Sequence, residues 1–215
     1  VVLLMHIPLV SNWIEEERAE LYRLIEPRPL SLSISAHHHY HEHVFLSDED
    51  GWRGPGRHHH VINVTTCGSW WTGAPDEAGI PHTTMRDGAP NGYSLITFDG
   101  DQYTLDFKAA RRPASEQMHI WTPEVVRQRY VEHTEFVVNV YNGSSESTVE
   151  YRVAGVTDWR PMEMVPRPDP YYVLMKEREQ DDPPPPGRRL PAAIDSPHIW
   201  RALLPAELTA GHYAL

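Results

Sequence analysis

Ser35-Ala36-His37-His38-His39-Tyr40-His41-Glu42-His43 follows one apolar, strand-like run and lies downstream of another, Val1-Val2-Leu3-Leu4-Met5, which ends at His6. Each run delivers a histidine at its C-terminal end. Parallel strands of an α/β sheet gather their C-terminal loops along one edge, where ligands bind. Histidines on these two loops can therefore converge on a metal ion.

The residues between the runs support that topology. Ser11-Asn12 can cap a helix with Glu15, Glu16 and Glu17 in its first turn and Ile14, Leu21, Leu24 and Ile25 on one face. Pro27 and Pro29 end it. Leu30-Ser31-Leu32-Ser33-Ile34 then alternates apolar and small polar residues, so the opening reads as a βαβ unit with a right-handed crossover. Within an extended histidine run, residues i and i+2 share a side, so His37 and His39 present both imidazoles to one cavity. Neighbouring histidines can serve different ions of a two-metal site whose ions lie about 3.5 to 4 Å apart. A bare His-x-His is equally compatible with a solvated loop, and His6 in the expected place favours the metal. His41, His43 and the triplet His58-His59-His60 exceed what one or two metals need. They read as supporting or surface residues.

The 215 residues, 40% of them hydrophobic, suit one large domain or two small ones with a proper core. A formal charge of -11 repels phosphate backbones, which argues against extended nucleic-acid binding. The lone Cys67 excludes an internal disulfide or a thiolate metal cage and reads as a small buried hydrophobe. No apolar run approaches the roughly 20 residues of a membrane helix, and no signal-peptide pattern opens the chain. Starting without methionine inside a strand-like run, and stopping at Gly211-His212-Tyr213-Ala214-Leu215 after a turn signal, it reads as a fragment.

Further along, a glycine-rich loop from Gly51 to Gly56 leads through the histidine triplet to the strand Val61-Ile62-Asn63-Val64. The turn-rich stretch from Gly68-Ser69-Trp70-Trp71 to Tyr93 is too long for a simple connection. With Asp76, Glu77, His82 and Asp87, it is expected to line a pocket. Asp99-Gly100 predicts a type I′ hairpin between Ser94–Phe98 and Gln102–Phe107. A second hairpin is expected between Phe136–Tyr141 and Thr148–Val153. The composition shift at Arg111-Arg112-Pro113 divides the chain into residues 1–110 and 111–215. Pro183–Pro186 predicts an extended surface loop. Trp70, Trp71, Tyr171 and Tyr172 read as core or domain-interface aromatics.

His6 after an apolar strand, a helix, and Ala36-His37-His38-His39 after a second strand together resemble the last two metal motifs of calcineurin-like metallophosphoesterases. The segments His58–Val64, Gly68–Trp71, Gly79-Ile80-Pro81-His82 and Asp87–Ser94 are similar to the subgroup with a dedicated C-terminal β domain. The resemblance implies an α+β chain. Residues 1–110 would be the C-terminal part of the phosphoesterase domain, with its β-sandwich and α layers, and residues 111–215 a truncated, small antiparallel β-sandwich. It also implies two divalent ions (Mn, Fe or Zn), His6 and His37 on one and His39 on the other. A metal-bridging hydroxide would then attack the phosphorus of a small phosphate ester in line.

The family's Asp-x-His, Gly-Asp-x-x-Asp and Gly-Asn-His-Asp/Glu motifs do not occur in this sequence, and Ala36 stands where a glycine is usual. Gly100-Asp101 does not supply the second motif, because Thr104 occupies its closing position. The isolated chain is therefore expected to be inactive. Two rivals remain: a cupin-type metalloenzyme, from His37-x-His39, Glu42, Pro55-Gly56, His59 and Asn63, and a non-enzymatic β-sandwich binding module.

Overall fold

In the computed structural model, which describes residues 1–11, 13–76 and 78–215, the chain opens as strand, helix, strand. These are β1 (Val2–Leu4), α1 (Glu15–Ile25) and β2 (Leu32–Ser35). β1 and β2 pair in parallel, Val2 opposite Leu32 and Leu4 opposite Ile34. Two more strands, β3 (Glu42–Leu46) and β4 (His58–Ile62), complete a sheet of order β1-β2-β4-β3. β4 runs parallel to β2 and antiparallel to β3. The histidine-rich composition masks β3, and β4 begins earlier than its apolar residues suggest, taking in the whole triplet His58–His60.

α1 buries Tyr22 and Ile25, whereas Ile14 and Leu24 of the predicted face stay exposed. Tyr22 is the larger apolar body and lies within about 60° of Ile25 around the helix axis, which turns Leu24 outward. Tyr22 and Ile25 pack with Leu9, Leu46 and Trp52 into one core cluster. The predicted cap does not form: the N-cap position is Ile14, with no side-chain cap, and Ser11 Oγ instead lies 2.6 Å from His38 Nε2. Asn12 lies outside the described residues. The acidic first turn still complements the positive end of the helix dipole.

One buried face of β2 and β4 carries a hydrogen-bonded ladder of serines and histidines, a consequence of strand period 2 with Ser33 paired to His60. The Leu9 N–H donates to His60 Nε2 at 3.2 Å, which leaves His60 Nδ1–H to donate to Ser33 Oγ at 2.7 Å. Ser33 O–H in turn donates to His58 Nε2 at 2.7 Å, and His58 Nδ1–H to Ser31 Oγ at 2.9 Å. Burial holds both rings neutral, pushing His58 and His60 down to about 4. The surface reading of these two is thereby corrected: they are 1% and 0% exposed and belong to the interior.

The remaining histidines form a second chain. The Val64 N–H donates to His41 Nδ1, so His41 Nε2–H donates to Asn142 Oδ1 at 3.0 Å, which His43 Nε2 also approaches at 3.0 Å. His43 Nδ1 lies 2.8 Å from His59 Nε2, and His59 Nδ1 lies 2.5 Å from the Tyr103 hydroxyl. His41 is fully buried as well.

β5 (Gly92–Asp99) and β6 (Gln102–Ala109) form the first predicted hairpin. Asp99 pairs with Gln102, so Gly100-Asp101 is the loop. Of these two residues only Gly100 has positive φ, the type II′ pattern rather than type I′. Then come β7 (Met118–Trp121), β8 (Glu135–Val140), β9 (Glu150–Tyr151), β10 (Arg160–Pro161), β11 (Glu163–Met164), α2 (Pro170–Arg178) and β12 (Ile199–Leu203). An antiparallel sheet of order β11-β12-β8-β7 results, and β9 pairs with β10.

The second predicted hairpin therefore does not form, since β8 lies between β12 and β7. Asn142, two residues past β8, gives the reason. Its Nδ2 donates to Leu105 O at 2.7 Å while its Oδ1 serves His41 and His43, which pins the chain against the first half. Residues from both halves share a core of Val64, Met85, Ala89, Phe107, Ala109 and Tyr141. No helix among the described residues is long and apolar enough to cross a membrane.

Candidate metal centre

β1 ends at Leu4 and β2 at Ser35, yet the parallel hydrogen bonding continues past both. The Met5 N–H donates to Ile34 O at 2.9 Å, and the Ala36 N–H donates to His6 O at 3.3 Å. This extension places His6 beside His37. His37 Nδ1 lies 2.8 Å from His6 Nε2, with the rings edge to face at 4.7 Å. Both side chains are exposed at the C-terminal edge of the sheet.

His39 is held differently. Its Nδ1–H donates to the Gly68 carbonyl, and the indole of Trp70 stacks on its ring at 3.7 Å. Nε2 is left with the free lone pair, the arrangement by which a carbonyl orients a metal-binding imidazole. Burial lowers the pKa of His39, opposed by the Gly68 carbonyl and assisted by the nearby His37, Arg86 and His6. The ring is thus kept in the neutral form that binds metal. His38 between them turns away, to Ser11 and into a stack with Tyr40.

His37 and His39 have φ of 66° and 56°, so the extended backbone predicted for them is not found. They lie in a bent loop, where the rule that i and i+2 share a side does not apply. Trp70 and Trp71, at 55° and 56°, are left-handed as well. Each such residue costs about 1–3 kcal/mol, and strain of this kind collects at functional sites. Gly68 joins the two strained segments: its φ is 51°, and a Cβ there would lie 1.7 Å from Thr83 O. Gly68→Ala is accordingly expected to destabilise the protein by at least about 2 kcal/mol and to displace the carbonyl that orients His39. Urea unfolding checks this, and an unchanged midpoint would contradict it.

Sequence reading placed Trp70 and Trp71 at a core or interface; they are 48% and 46% exposed. Tyr172 does fit that reading, buried with its hydroxyl donating to Pro191 O at 3.0 Å. Cys67 is half-buried, its Sγ 3.8 Å from His39 Nδ1. In the long loop, Asp76 and His82 line a cavity of about 600 Å³ together with Arg111, Arg112, Tyr171 and Arg178. Asp87 does not join them. It is fully buried against His198, and Glu77 lies outside the described residues.

The donor set fits a metal in part. Imidazole nitrogens suit Zn or Fe, and the nitrogens of His6 and His37 are close enough to share one ion. Among the described residues no three His, Cys, Asp or Glu side chains are grouped to hold an ion, so His6, His37 and His39 do not form a complete cage. The Gly68 carbonyl and Trp70 are the elements that sequence reading did not assign to the site. A glycine two residues before a pair of large aromatics was the available signal.

A family model described as the C terminal of calcineurin-like phosphoesterase matches residues 60–215. No curated protein and no solved structure matches the chain. The matched span takes in the end of β4, the Gly68–Trp71 segment and everything after it, and does not reach His6, His37 and His39. On that match, the chain belongs to the C-terminal family of calcineurin-like phosphoesterases.

Proposed function

We propose that this chain forms part of a metal-dependent phosphoesterase acting on a small phosphate ester. His6 and His37 hold one divalent ion and His39 the second, the ions being Mn, Fe or Zn. The observation that carries the reading is the contact of His6 with His37 across the ends of two adjacent parallel strands. Divalent ions at such a site supply Lewis acidity and neutralise charge developing on the phosphoryl group. The chain contributes orientation: the Gly68 carbonyl fixes the tautomer of His39, and the extended β1–β2 pairing fixes His6 against His37. Positive charge at this edge would also draw a phosphate to a protein of net charge -11. The family's Asp-x-His, Gly-Asp-x-x-Asp and Gly-Asn-His-Asp/Glu motifs are not in these 215 residues, so we assign catalysis to a longer protein and none to this chain by itself. Residues 111–215 act in this reading as a small β-sandwich domain attached to the catalytic part.

The cupin alternative is disfavoured by the parallel pairing of β1, β2 and β4, because cupins are antiparallel jelly rolls. His59 is moreover engaged with His43 and Tyr103. In the full-length protein, His37→Ala is expected to lower divalent-metal occupancy and to abolish cleavage of a generic phosphodiester. Unchanged turnover in that variant would refute the assignment.

A further inference from the structure

We propose that Trp70 and Trp71 form a stacking platform that selects phosphate esters carrying an aromatic ring on the alcohol side. The proposal rests on the metal reading above and adds a substrate class to it.

Two consecutive exposed tryptophans in left-handed backbone are not what a simple turn requires, since glycine or asparagine would adopt that conformation with less strain. The frame beneath them is closely tied. Trp71 N–H donates to Cys67 O at 3.0 Å, Ser69 N–H to Thr83 O at 3.3 Å and Ser69 O–H to Thr84 O at 2.6 Å. Thr83 O–H also donates to Cys67 O at 2.5 Å. A frame so bonded holds the indoles out without relying on their own burial, which is the preorganisation a binding surface needs.

Position points to the occupant. Trp70 stacks at 3.7 Å and 21° on His39, so the platform begins within one ring of a proposed metal ligand. A phosphoryl group at that ligand would carry its esterified alcohol across the neighbouring surface. The backbone N–H of Arg86 donates to His39 O at 3.4 Å, which ties the His39 loop to the segment that frames the indoles. Stacking on such a surface contributes about 1–3 kcal/mol per ring, or roughly 5- to 150-fold in affinity.

The test compares competitive inhibition of the metal-loaded full-length enzyme by phenylphosphonate and methylphosphonate, which share the anionic group and differ in the ring. Phenylphosphonate is expected to bind at least about tenfold more tightly. Trp71→Ala should remove most of that preference, with less than a twofold change for methylphosphonate, and Trp71→Phe should restore part of it. Indole fluorescence quenched by phenylphosphonate, and less so in Trp71→Ala, gives a readout that needs no turnover. Equal affinities in the wild type, or a preference that survives Trp71→Ala, would overturn the platform. So would indoles shielded from acrylamide in the full-length protein, because they would then be covered by other parts of the chain. Failure of the metal reading looks different: methylphosphonate would bind equally well to the wild type and to His37→Ala.

Discussion

Asp87→Ala is expected to lower the unfolding free energy by about 3–5 kcal/mol, because it takes the partner from three buried polar groups at about 1–3 kcal/mol each. Asp87 is fully buried and its carboxylate has three partners. Oδ1 accepts the Ala89 N–H at 3.0 Å, and Oδ2 accepts the His41 N–H at 2.7 Å and lies 3.0 Å from His198 Nε2. On the far side, His198 Nδ1 lies 2.8 Å from Asn139 Oδ1. The Asn139 amide then donates to Asp87 O and to Asp169 Oδ2, both at 2.9 Å. Asp169 caps α2 through the Tyr172 N–H at 2.8 Å. Alanine would strand the His41 N–H ahead of β3, the His198 ring before β12 and the Ala89 N–H at once, which is why the loss should exceed that of an ordinary core truncation. Urea denaturation at neutral pH reads the effect, and a loss under about 1 kcal/mol would show that water replaces the carboxylate.

Stability should also fall steeply between pH 6.5 and pH 5, above the range in which ordinary carboxylates titrate. Burial is the largest influence on His41, His43, His58, His59 and His60, and lowers all of them, His58 and His60 to about 4 and His59 to about 3. Their unfolded value is about 6.5. Because the folded values lie below the unfolded one, the unfolded chain binds more protons in this window. The stabilisation is complete above pH 6.5 and is lost as pH drops toward the folded values. For a ring moved from about 6.5 to about 4, the loss at pH 5 is about 2 kcal/mol. His58 and His60 alone would then remove about 4 kcal/mol, a large share of the roughly 5–15 kcal/mol of a typical domain. Urea midpoints across this interval provide the check. A flat profile from pH 7 to pH 5 would contradict the buried, neutral ladder.

Those same histidines show where sequence reading reached its limit. The opening βαβ unit followed from local signals: apolar runs, an acidic helix start and prolines after the helix. The hairpin at Gly100-Asp101 followed from its turn residues, with the turn type shifted because Gly100 occupies the first loop position. β3 and the early start of β4 were hidden because the residues that build them are polar in isolation. Histidine behaves as an interior residue here only once serines on the neighbouring strand satisfy it, and that pairing is a tertiary fact. The failed second hairpin has the same origin: Asn142 finds its partners about a hundred residues earlier in the chain.

At the site, His6 and His37 were placed by strand topology, which carries over from sequence well. The reason for His39 was wrong in detail, since an extended backbone was assumed and a left-handed one is present. Its support from Gly68 and Trp70 depends on a loop closure of 29 residues that no local pattern encodes. Trp70 and Trp71 are half exposed here, so they do not fill the core of these residues.

In the proposed centre the rings of His6 and His37 bind one ion and that of His39 another. Metal content per chain in the full-length protein and its single alanine variants measures this directly. The prediction is that His6→Ala and His37→Ala each lose the same one of two equivalents and that His39→Ala loses the other. Full retention of both equivalents in all three variants would contradict it.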